Sequence, residues 1–443
     1  MTGFRQPLFT DLYELTMAQA YFAEQMDEIA VFELAFRKMP VNRNYIVVNG
    51  LSDVVDFLTN FCFGSRDVEY LEGLGGFSAD FLGRLEHLRF TGDVYAMPEG
   101  SLVFPNEPLV QVIAPILQAQ LMETFILNQI HFQSLAASKA ARVVAAAKGR
   151  MVVDFGSRRA HGTDAALKVA RATYLAGGHG TSNVLAAKCY GIPVFGTMAH
   201  SYIQAHDDEL ASFEAFARLY PETTLLVDTY DTLAGVRKVI ELSRKLGERF
   251  HIAALRLDSG DLAQLAMATR TMLDQAGLPH VKIFASSGLD EYKVQALVAS
   301  GAPIDAFGVG TKLAVMADAP ELDMAYKLVE YAGKGRLKLS AKKVLYPGRK
   351  QVFRQFENGR MVGDVIGRFD EQVSGKPLLQ CLLKQGKPAV QIALNESRLR
   401  LHRELESLAE PLRSLEPAAE PFPVTITDGL QADFDALSRE LMP

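Results

Sequence analysis

Between residues 151 and 312 the chain repeats one pattern, a short apolar run followed by a cluster of small, polar or charged residues. Seven segments show it: MVVDFGSRRAHGT, GGHGTSN, PVFGTMAHS, TLLVDTYDT, HIAALRLDSGD, VKIFASSGLD and DAFGVGTK. Most are separated by about 20 to 30 residues of Ala-, Leu- and Lys/Arg-rich sequence typical of helices. This alternation predicts an α/β barrel, in which the polar clusters meet at the carboxyl ends of the strands. The side chains expected to converge there are Asp154, Arg158, Ser182, His200, Asp228, Arg256, Asp258 and Thr311.

The chain on either side of the predicted barrel has a different pattern. Gly, Pro and Asn residues punctuate apolar pairs over residues 89–115, which predicts a β-hairpin. Residues 118–148 contain no Gly or Pro and have apolar positions at helical spacing, so they predict a long helix. Residues 336–356 are basic and strand-like, and a charged helix and the Pro-rich linker PAAEPFPV follow them. These changes of pattern divide the chain near residues 130 and 330.

Composition narrows the class of protein. The chain has 443 residues, of which 49% are hydrophobic, so it is long enough for two domains with ample cores. Cys62, Cys189 and Cys381 are too few and too scattered for a disulfide framework or a zinc site, which favours a reducing, cytoplasmic location. The net charge of −6 disfavours nucleic-acid or membrane partners, and no run approaches the ~18 apolar residues of a membrane span. Any anionic ligand must therefore be held by a local basic cluster.

Two glycine-containing loops are candidate anion sites. The DFGSRR segment follows a predicted strand and precedes a helix, so its backbone amides and the guanidinium groups of Arg158 and Arg159 could receive phosphate or carboxylate. The GVGTK segment ends the last predicted strand, where barrels commonly bind phosphate, and offers Gly310, Thr311 and Lys312. The alternative for DFGSRR is a strand-to-helix loop with solvated arginines, and the alternative for GVGTK is an ordinary tight turn.

Acidic residues and a histidine follow three other predicted strands. In RLDSGD, Asp258 and Asp261 could bind Mg²⁺ carried by a sugar diphosphate, but Asp258 or Ser259 could equally cap a helix. His200 lies in GTMAHS, and it could act as a nucleophile or base if Asp228 of VDTYD holds one of its ring nitrogens. The alternative is a core histidine with a structural partner.

Taken in order, these motifs resemble those of the nicotinate phosphoribosyltransferases. The resemblance begins with FTDLYELTMAQAYF near the N-terminus, continues through DFGSRRAHG, GGHGTSN, GTMAHS, VDTYDT, RLDSGDL and FGVGTKL, and reaches RLRLHRELESLAEP. It implies an α/β fold with an irregular TIM-like barrel over residues 131–330 and an α/β domain built from residues 1–130 and 331–443. It also implies a homodimer with sites shared between subunits. The implied reaction joins nicotinate to phosphoribosyl pyrophosphate in NAD biosynthesis, with Mg²⁺ and with ATP hydrolysed, which is a ligase-class activity.

The resemblance further implies a role for each motif. Tyr13 would reach from the partner subunit and stack on the pyridine ring of nicotinate, whose other face would meet Phe155. Arg158 and Arg256 would hold the carboxylate and the phosphates. Ser182 and Thr197 would contact the substrate, and Asp258 and Asp261 would lie near the ribose or its Mg²⁺. Gly310 and Thr311 would bind the 5-phosphate. ATP would phosphorylate His200, which Asp228 would orient.

Rival functions differ in the residues that they require. Nicotinamide-using relatives have an Asp where this chain has Ser182, and a carboxylate there would repel the carboxylate of nicotinate. A quinolinate enzyme of the same fold would need a denser basic cluster for its dicarboxylate and no phosphorylatable histidine. An aldolase or isomerase would need a strand-end lysine or a paired acid and base, and no barrel strand ends in such a lysine. A noncatalytic binding scaffold would show gaps among the site residues.

Overall fold

The structure is a computed structural model of the chain and describes residues 6–339 and 345–442. The chain forms two compact units, the first from residues 1–135 and 321–443 and the second from residues 136–320. The domain limits predicted at residues 130 and 330 stay predictions. In the described residues no helix is both long and apolar enough to cross a membrane.

The first part of the chain mixes helices with short strands. Its elements are α1 (Leu12–Ala23), β1 (Ile29–Phe36), β2 (Ile46–Val47), α2 (Leu51–Thr59), α3 (Ser65–Leu74), α4 (Ala79–Glu86), β3 (Asp93–Ala96), β4 (Leu102–Val103), β5 (Val110–Pro115) and α5 (Ile116–Gln120). The predicted hairpin is confirmed, because β3 and β5 pair antiparallel. The long helix α6 (Glu123–Ala146) follows, and it begins five residues later than the sequence pattern predicts.

The second unit alternates strands and helices. Its elements are β6 (Met151–Asp154), α7 (Thr163–Leu175), β7 (Gly180–Thr181), α8 (Val184–Tyr190), α9 (His200–Gln204), α10 (Glu209–Leu219), β8 (Thr224–Leu226), α11 (Thr232–Leu246), β9 (Ala254–Leu257), α12 (Leu262–Gln275), β10 (Lys282–Ala285), α13 (Glu291–Ala299), β11 (Ala306–Val309) and α14 (Thr311–Ala314), with 3-10 turns at Ser157–Arg159 and Gly247–Arg249. Asp side chains cap several of the helices that follow strands, as at Asp231 before α11 and Asp261 before α12.

The strands of the second unit form one parallel sheet in the order β7-β6-β11-β10-β9-β8. The predicted strand in PVFGTMAHS is wrong, because it contributes only a bridge between Val194 and Thr181. Two backbone bonds hold it, from Thr181 to Pro193 and from Phe195 to Thr181. Pro193 has no N–H to donate, and α9 begins only six residues after Val194. Within the described residues the sheet is therefore a half-barrel, open between Val194 and β8.

The last part of the chain returns to the first unit. Its elements are β12 (Met324–Tyr331), β13 (Lys334–Gly335), β14 (Lys350–Glu357), β15 (Arg360–Arg368), β16 (Lys376–Pro377), β17 (Gln380–Lys384), β18 (Lys387–Pro388), α15 (Leu394–Ser407), α16 (Glu410–Arg413), β19 (Val424–Ile426) and α17 (Asp428–Leu441). Of the strand-like stretch predicted at residues 336–356, β14 is a strand, residues 336–339 and 345–349 are not, and residues 340–344 lie outside the described residues.

The sheets of the first unit draw on both ends of the chain. A seven-stranded sheet has the order β13-β12-β1-β5-β3-β17-β18, a four-stranded sheet the order β16-β14-β15-β19, and β2 pairs with β4. In the seven-stranded sheet, three N-terminal strands (β1, β5 and β3) lie between two C-terminal pairs, joined to them by the pairing of β1 with β12 and of β3 with β17.

Candidate active site

Arg256, at the carboxyl end of β9, is the centre of a cluster of polar side chains in the second unit. Its Nε donates to Ser286 Oγ at 2.8 Å, its Nη1 to Thr197 Oγ1 at 3.3 Å and its Nη2 to Asp258 Oδ1 at 2.9 Å. A guanidinium carries five N–H donors, so these bonds leave one N–H on each terminal nitrogen. Those two are suited to a carboxylate or a phosphate. The protein thus fixes this arginine in advance of any ligand.

The Phe155 ring lies beside this guanidinium, with Arg256 Cζ 5.5 Å from the ring centroid. Phe155 also stacks on Phe284, with centroids 5.5 Å apart and an interplanar angle of 17°. Gly308 of β11 makes this stacking possible, because a Cβ there would lie 2.6 Å from the Phe155 ring and 2.8 Å from the Phe284 ring. The Arg256 cation therefore lies over an aromatic ring at the end of the parallel sheet.

His200 begins α9 and faces the same cluster. Its Nδ1 lies 3.1 Å from Thr229 Oγ1, and its Nε2 lies 3.7 Å from Asp258 Oδ2. The side chain is 40% exposed, so a ligand can reach it. The sequence predicted that Asp228 would hold this imidazole, but the structure has Thr229 and Asp258 beside it instead.

Asp228 is directed at the neighbouring strand. Its Oδ2 accepts hydrogen bonds from the backbone N–H of Asp258 at 2.9 Å and from the Ser259 hydroxyl at 2.6 Å. Asp228 and Thr229 both lie beyond the end of β8, where the chain bends, and there the Thr229 side chain faces His200 while the Asp228 side chain faces the turn after β9. Asp228 is 9% exposed, and its Oδ1 has no hydrogen-bond partner in the described part of the chain. Asp228 thus shapes the turn that carries Asp258 and does not orient the histidine.

The two candidate metal ligands have different environments. Burial alone would raise the pKa of Asp258, but the hydrogen bond from Ser286 and the charges of Arg256 and His200 outweigh it and lower this pKa, so the carboxylate is held ionised. Asp261 Oδ1 accepts from the backbone N–H groups of Ala263 and Gln264, both at 3.1 Å. Asp261 is therefore the cap of α12, the role that the sequence assigned to Asp258 or Ser259 as an alternative.

The positions of the carboxylates indicate whether the protein could hold a resident metal ion. No group of three or more His, Cys, Asp or Glu side chains among the described residues could hold a metal ion. Mg²⁺ often binds through only one or two carboxylates plus substrate phosphates. The donor set, Asp258 with Asp261, therefore suits Mg²⁺ that arrives on a diphosphate and does not suit a dedicated metal cage.

The two predicted anion loops meet in the second unit. A Cβ on Gly156 would lie 2.7 Å from Ala314 and 3.2 Å from the carbonyl oxygen of Gly310, so the loop after β6 packs on the turn after β11. Arg158 and Thr311 are exposed there. The structure therefore brings the basic loop and the glycine-threonine turn together, as the strand-end prediction requires.

Asp154 is the last residue of β6, and Ser182 directly follows β7. Asp154 is fully buried, and burial raises the pKa of its carboxyl although hydrogen bonds from the Thr181 hydroxyl and the Gly156 N–H, both 2.7 Å, oppose this. Ser182 is exposed, and its N–H donates to the Asp154 carbonyl at 2.9 Å. Asp154 thus joins two strands, whereas the Ser182 hydroxyl is accessible to a ligand.

Tyr13 belongs to α1 of the first unit and is 46% exposed. Burial, together with the nearby carboxylates of Glu123 and Glu14, raises the pKa of its phenol. The ring is thus available to a ligand and stays uncharged at neutral pH.

Two residues of the cluster were missed by the sequence analysis, Ser286 and Thr229. Ser286 is the first polar residue after the apolar run of β10, and Thr229 follows Asp228 directly. The position of the first polar residue after each strand, applied to every strand, would have found Ser286. No comparable sequence signal distinguishes Thr229 from its neighbours.

The fold and this cluster define an α/β protein of the kind that binds ligands at the carboxyl edge of a parallel sheet. Residues 8–131 match the nicotinate phosphoribosyltransferase N-terminal domain, and residues 151–345 match the nicotinate phosphoribosyltransferase family. The chain belongs to the nicotinate phosphoribosyltransferase family.

Individual proteins agree with this assignment. Nicotinate phosphoribosyltransferase pncB2 of Mycobacterium tuberculosis is 60% identical over 432 residues, which are 97% of this chain and 93% of that protein. The Bacillus subtilis nicotinate phosphoribosyltransferase is 44% identical over 84% of this chain and 78% of its own length. The structure of human nicotinic acid phosphoribosyltransferase has a TM-score of 0.88 at 30% identity, covering 97% of this chain and 99% of its own. A nicotinate-nucleotide pyrophosphorylase from Pyrococcus furiosus has a TM-score of 0.73 at 26% identity, with 90% and 95% covered.

Proposed function

We propose that this protein joins nicotinate to phosphoribosyl pyrophosphate, giving nicotinate mononucleotide and pyrophosphate, as a step of NAD biosynthesis in the cytoplasm. The observation that carries the proposal is the preset Arg256 guanidinium beside the Phe155 ring. A planar aromatic acid needs a surface for its ring and a cation for its carboxylate, and the sugar phosphate needs further donors close by. The M. tuberculosis and B. subtilis relatives are nicotinate phosphoribosyltransferases, which supports the same reaction.

The bond changes account for the types of residue in the cluster. The pyridine nitrogen would form a bond to C1 of the ribose while the bond from C1 to the pyrophosphate oxygen breaks and its electron pair leaves with pyrophosphate. Positive charge develops on the ribose and negative charge on the leaving group. Fixed cations and correct positioning therefore contribute more than a strong base.

Each side chain has a specific task in this proposal. Arg256 and Arg158 would hold the carboxylate and the phosphates, Phe155 would support one face of the pyridine, and Tyr13 of a second subunit in a homodimer would cover the other. Gly310 and Thr311 would bind the 5-phosphate next to the Arg158 loop. Asp258, with Asp261 near it, would hold Mg²⁺, which when bound neutralises charge on the diphosphate.

His200 would couple the reaction to ATP. Its ring nitrogen would form a bond to the γ-phosphorus of ATP as ADP leaves, and water would later release phosphate, which makes the activity ATP-dependent and of the ligase class. The exposed imidazole with a hydroxyl on one side and an ionised carboxylate on the other supports this role. Phosphorylation would bias the enzyme toward a state that binds its substrates tightly.

A product assay tests the reaction. Nicotinate and nicotinamide are each supplied with phosphoribosyl pyrophosphate and Mg²⁺, with and without ATP, and mononucleotide and pyrophosphate are measured. We expect product from nicotinate, stimulated by ATP, and much less from nicotinamide. Equal use of both substrates, or no product from nicotinate, would contradict the proposal.

His200→Ala is expected to abolish the stimulation by ATP while transfer without ATP continues, because the imidazole acts on ATP and not on the bond to ribose. The measurement is the initial rate with and without ATP, together with transfer of label from γ-labelled ATP to the protein. His206→Ala is the matched control, since His206 lies just after the same helix and its ring contacts the Tyr202 carbonyl and ring. Full ATP stimulation or undiminished labelling in His200→Ala would exclude the phosphohistidine at this position.

A further inference from the structure

Ser286 connects the two charged groups at the centre of the cluster. It directly follows β10, and its backbone N–H donates to the carbonyl of Leu257 in β9 at 2.9 Å, so its position is fixed by the neighbouring strand. Its hydroxyl accepts from Arg256 Nε at 2.8 Å and donates to Asp258 Oδ1. The residue is 2% exposed. Ser286 itself is therefore almost closed to solvent, while Arg256 and Asp258 remain partly exposed.

The hydroxyl is chemically matched to this place. It has one donor and two acceptor lone pairs, and here it gives its proton to an anion and accepts one from a cation. Bonds to charged groups are stronger than neutral ones. The serine thus satisfies both groups at once, which neither an alanine nor a purely donating side chain could do.

Without the Ser286 hydroxyl, Arg256 and Asp258 could form a different contact. Nε–H and one N–H of Nη2 lie on the same side of a guanidinium and together fit both oxygens of a carboxylate. With Ser286 on Nε, Asp258 engages only Nη2. Without the hydroxyl, Asp258 is free to bind Nε and Nη2 together, which would turn the guanidinium away from Thr197.

We propose that Ser286 is a positioning residue, which keeps Arg256 from closing into a two-point ion pair with Asp258 and so keeps its terminal N–H donors directed at an anionic substrate. This inference rests on the proposed function of the site. It deepens that function by naming the group that sets the geometry of the arginine. Ser286 itself does not touch the substrate.

A double-mutant cycle tests the proposal. Ser286→Ala is expected to raise the KM of one anionic substrate, nicotinate or phosphoribosyl pyrophosphate, about tenfold, with a smaller change in kcat. Arg256→Lys removes the fork and should raise the KM of the same substrate. Because Ser286 acts through Arg256, adding Ser286→Ala to Arg256→Lys should raise that KM no more than about twofold further.

Three controls separate positioning from stability. Ser286→Thr keeps the hydroxyl and should retain a KM near that of the parent protein. Thr269→Val removes another buried hydroxyl of the second unit, one without a hydrogen-bond partner in the described residues, and should leave KM unchanged. Thermal unfolding midpoints of all variants check folding, and Ser286→Cys replaces the alanine variant if the latter does not fold.

The outcomes distinguish this inference from the proposed function. A parent protein that makes no nicotinate mononucleotide contradicts the proposed function. If the parent protein is active but Ser286→Ala leaves both KM values unchanged, the role of Ser286 is contradicted and the proposed function is not. The same holds if the increases in KM caused by Ser286→Ala and Arg256→Lys multiply in the double variant, as independent changes do. Failure of Ser286→Thr to restore KM, with a normal unfolding midpoint, would also overturn it.

Discussion

Ser182→Asp is expected to lower the affinity for nicotinate about a thousandfold. Under the proposed function the exposed Ser182 faces the carboxylate of the substrate, and its hydroxyl can donate a hydrogen bond to it. An aspartate about 4 Å from that carboxylate would cost roughly 4 kcal/mol at an effective dielectric constant of 20, which is close to a thousandfold in binding. The amide of nicotinamide carries no charge and would escape this penalty.

The dissociation constant of nicotinate, measured by calorimetry, and the KM values of nicotinate and nicotinamide test this prediction. Ser182→Asn is the control, because asparagine has nearly the size of aspartate without its charge. A loss of nicotinate affinity in the aspartate variant alone would identify repulsion between the two carboxylates. Equal losses in both variants would indicate a steric effect, and unchanged nicotinate binding in Ser182→Asp would show that the residue does not face the substrate.

Arg354→Met is expected to destabilise the first unit by about 3–5 kcal/mol, the usual cost of leaving buried charges without their partner. Arg354 is completely buried and donates to Asp364 at 3.0 and 2.7 Å, to the Leu102 carbonyl at 2.8 Å and to Glu404. Nearby, burial and the Asp364 carboxylate raise the pKa of Glu107 well above its usual range. Methionine would leave Asp364 without its guanidinium partner and would leave Glu404 with the exposed Lys376 at 3.9 Å.

Urea unfolding followed by circular dichroism measures this loss as a shift of the transition midpoint. Arg368→Met is the matched control, since Arg368 makes the same two-point contact with Asp433 at 2.7 Å but both side chains are about half exposed. An exposed pair contributes at most about 1 kcal/mol. Comparable midpoint shifts in the two variants would show that burial does not increase the stability lost on replacing Arg354.

The sequence predicted the parallel sheet well because its signal is local. Each apolar run has β-branched or aromatic residues, a polar end and a helical segment after it, and six of the seven runs are strands. The seventh differs because Pro193 cannot donate and because neighbouring pairing decides whether an apolar run becomes a strand. The same local logic predicted that the Arg158 loop and the Gly310 turn would lie at one edge, and they do.

The contacts within the cluster could not be predicted in the same way. Strand order tells which loops are neighbours, but the direction of each side chain depends on the loop conformation at its own residue. A shift of one residue is enough to exchange Asp228 for Thr229 at the imidazole. Ser286 could be placed at the same edge as the first polar residue after β10, but its role depends on its two charged neighbours, Arg256 and Asp258, which the sequence does not reveal.

The open edge of the half-barrel has a consequence for how His200 can work. The backbone of the segment from Val194 to His200 is bonded to the sheet on one side only, through two hydrogen bonds near Thr181. On the other side, the Thr197 and His200 side chains contact Arg256 and Thr229. Segments with few backbone bonds cost little free energy to displace. Under the proposed function, a histidine that would gain and lose a phosphoryl group in each cycle is thus carried by a segment with few backbone hydrogen bonds to the sheet, whereas Arg256 belongs to β9, which is paired with a strand on each side.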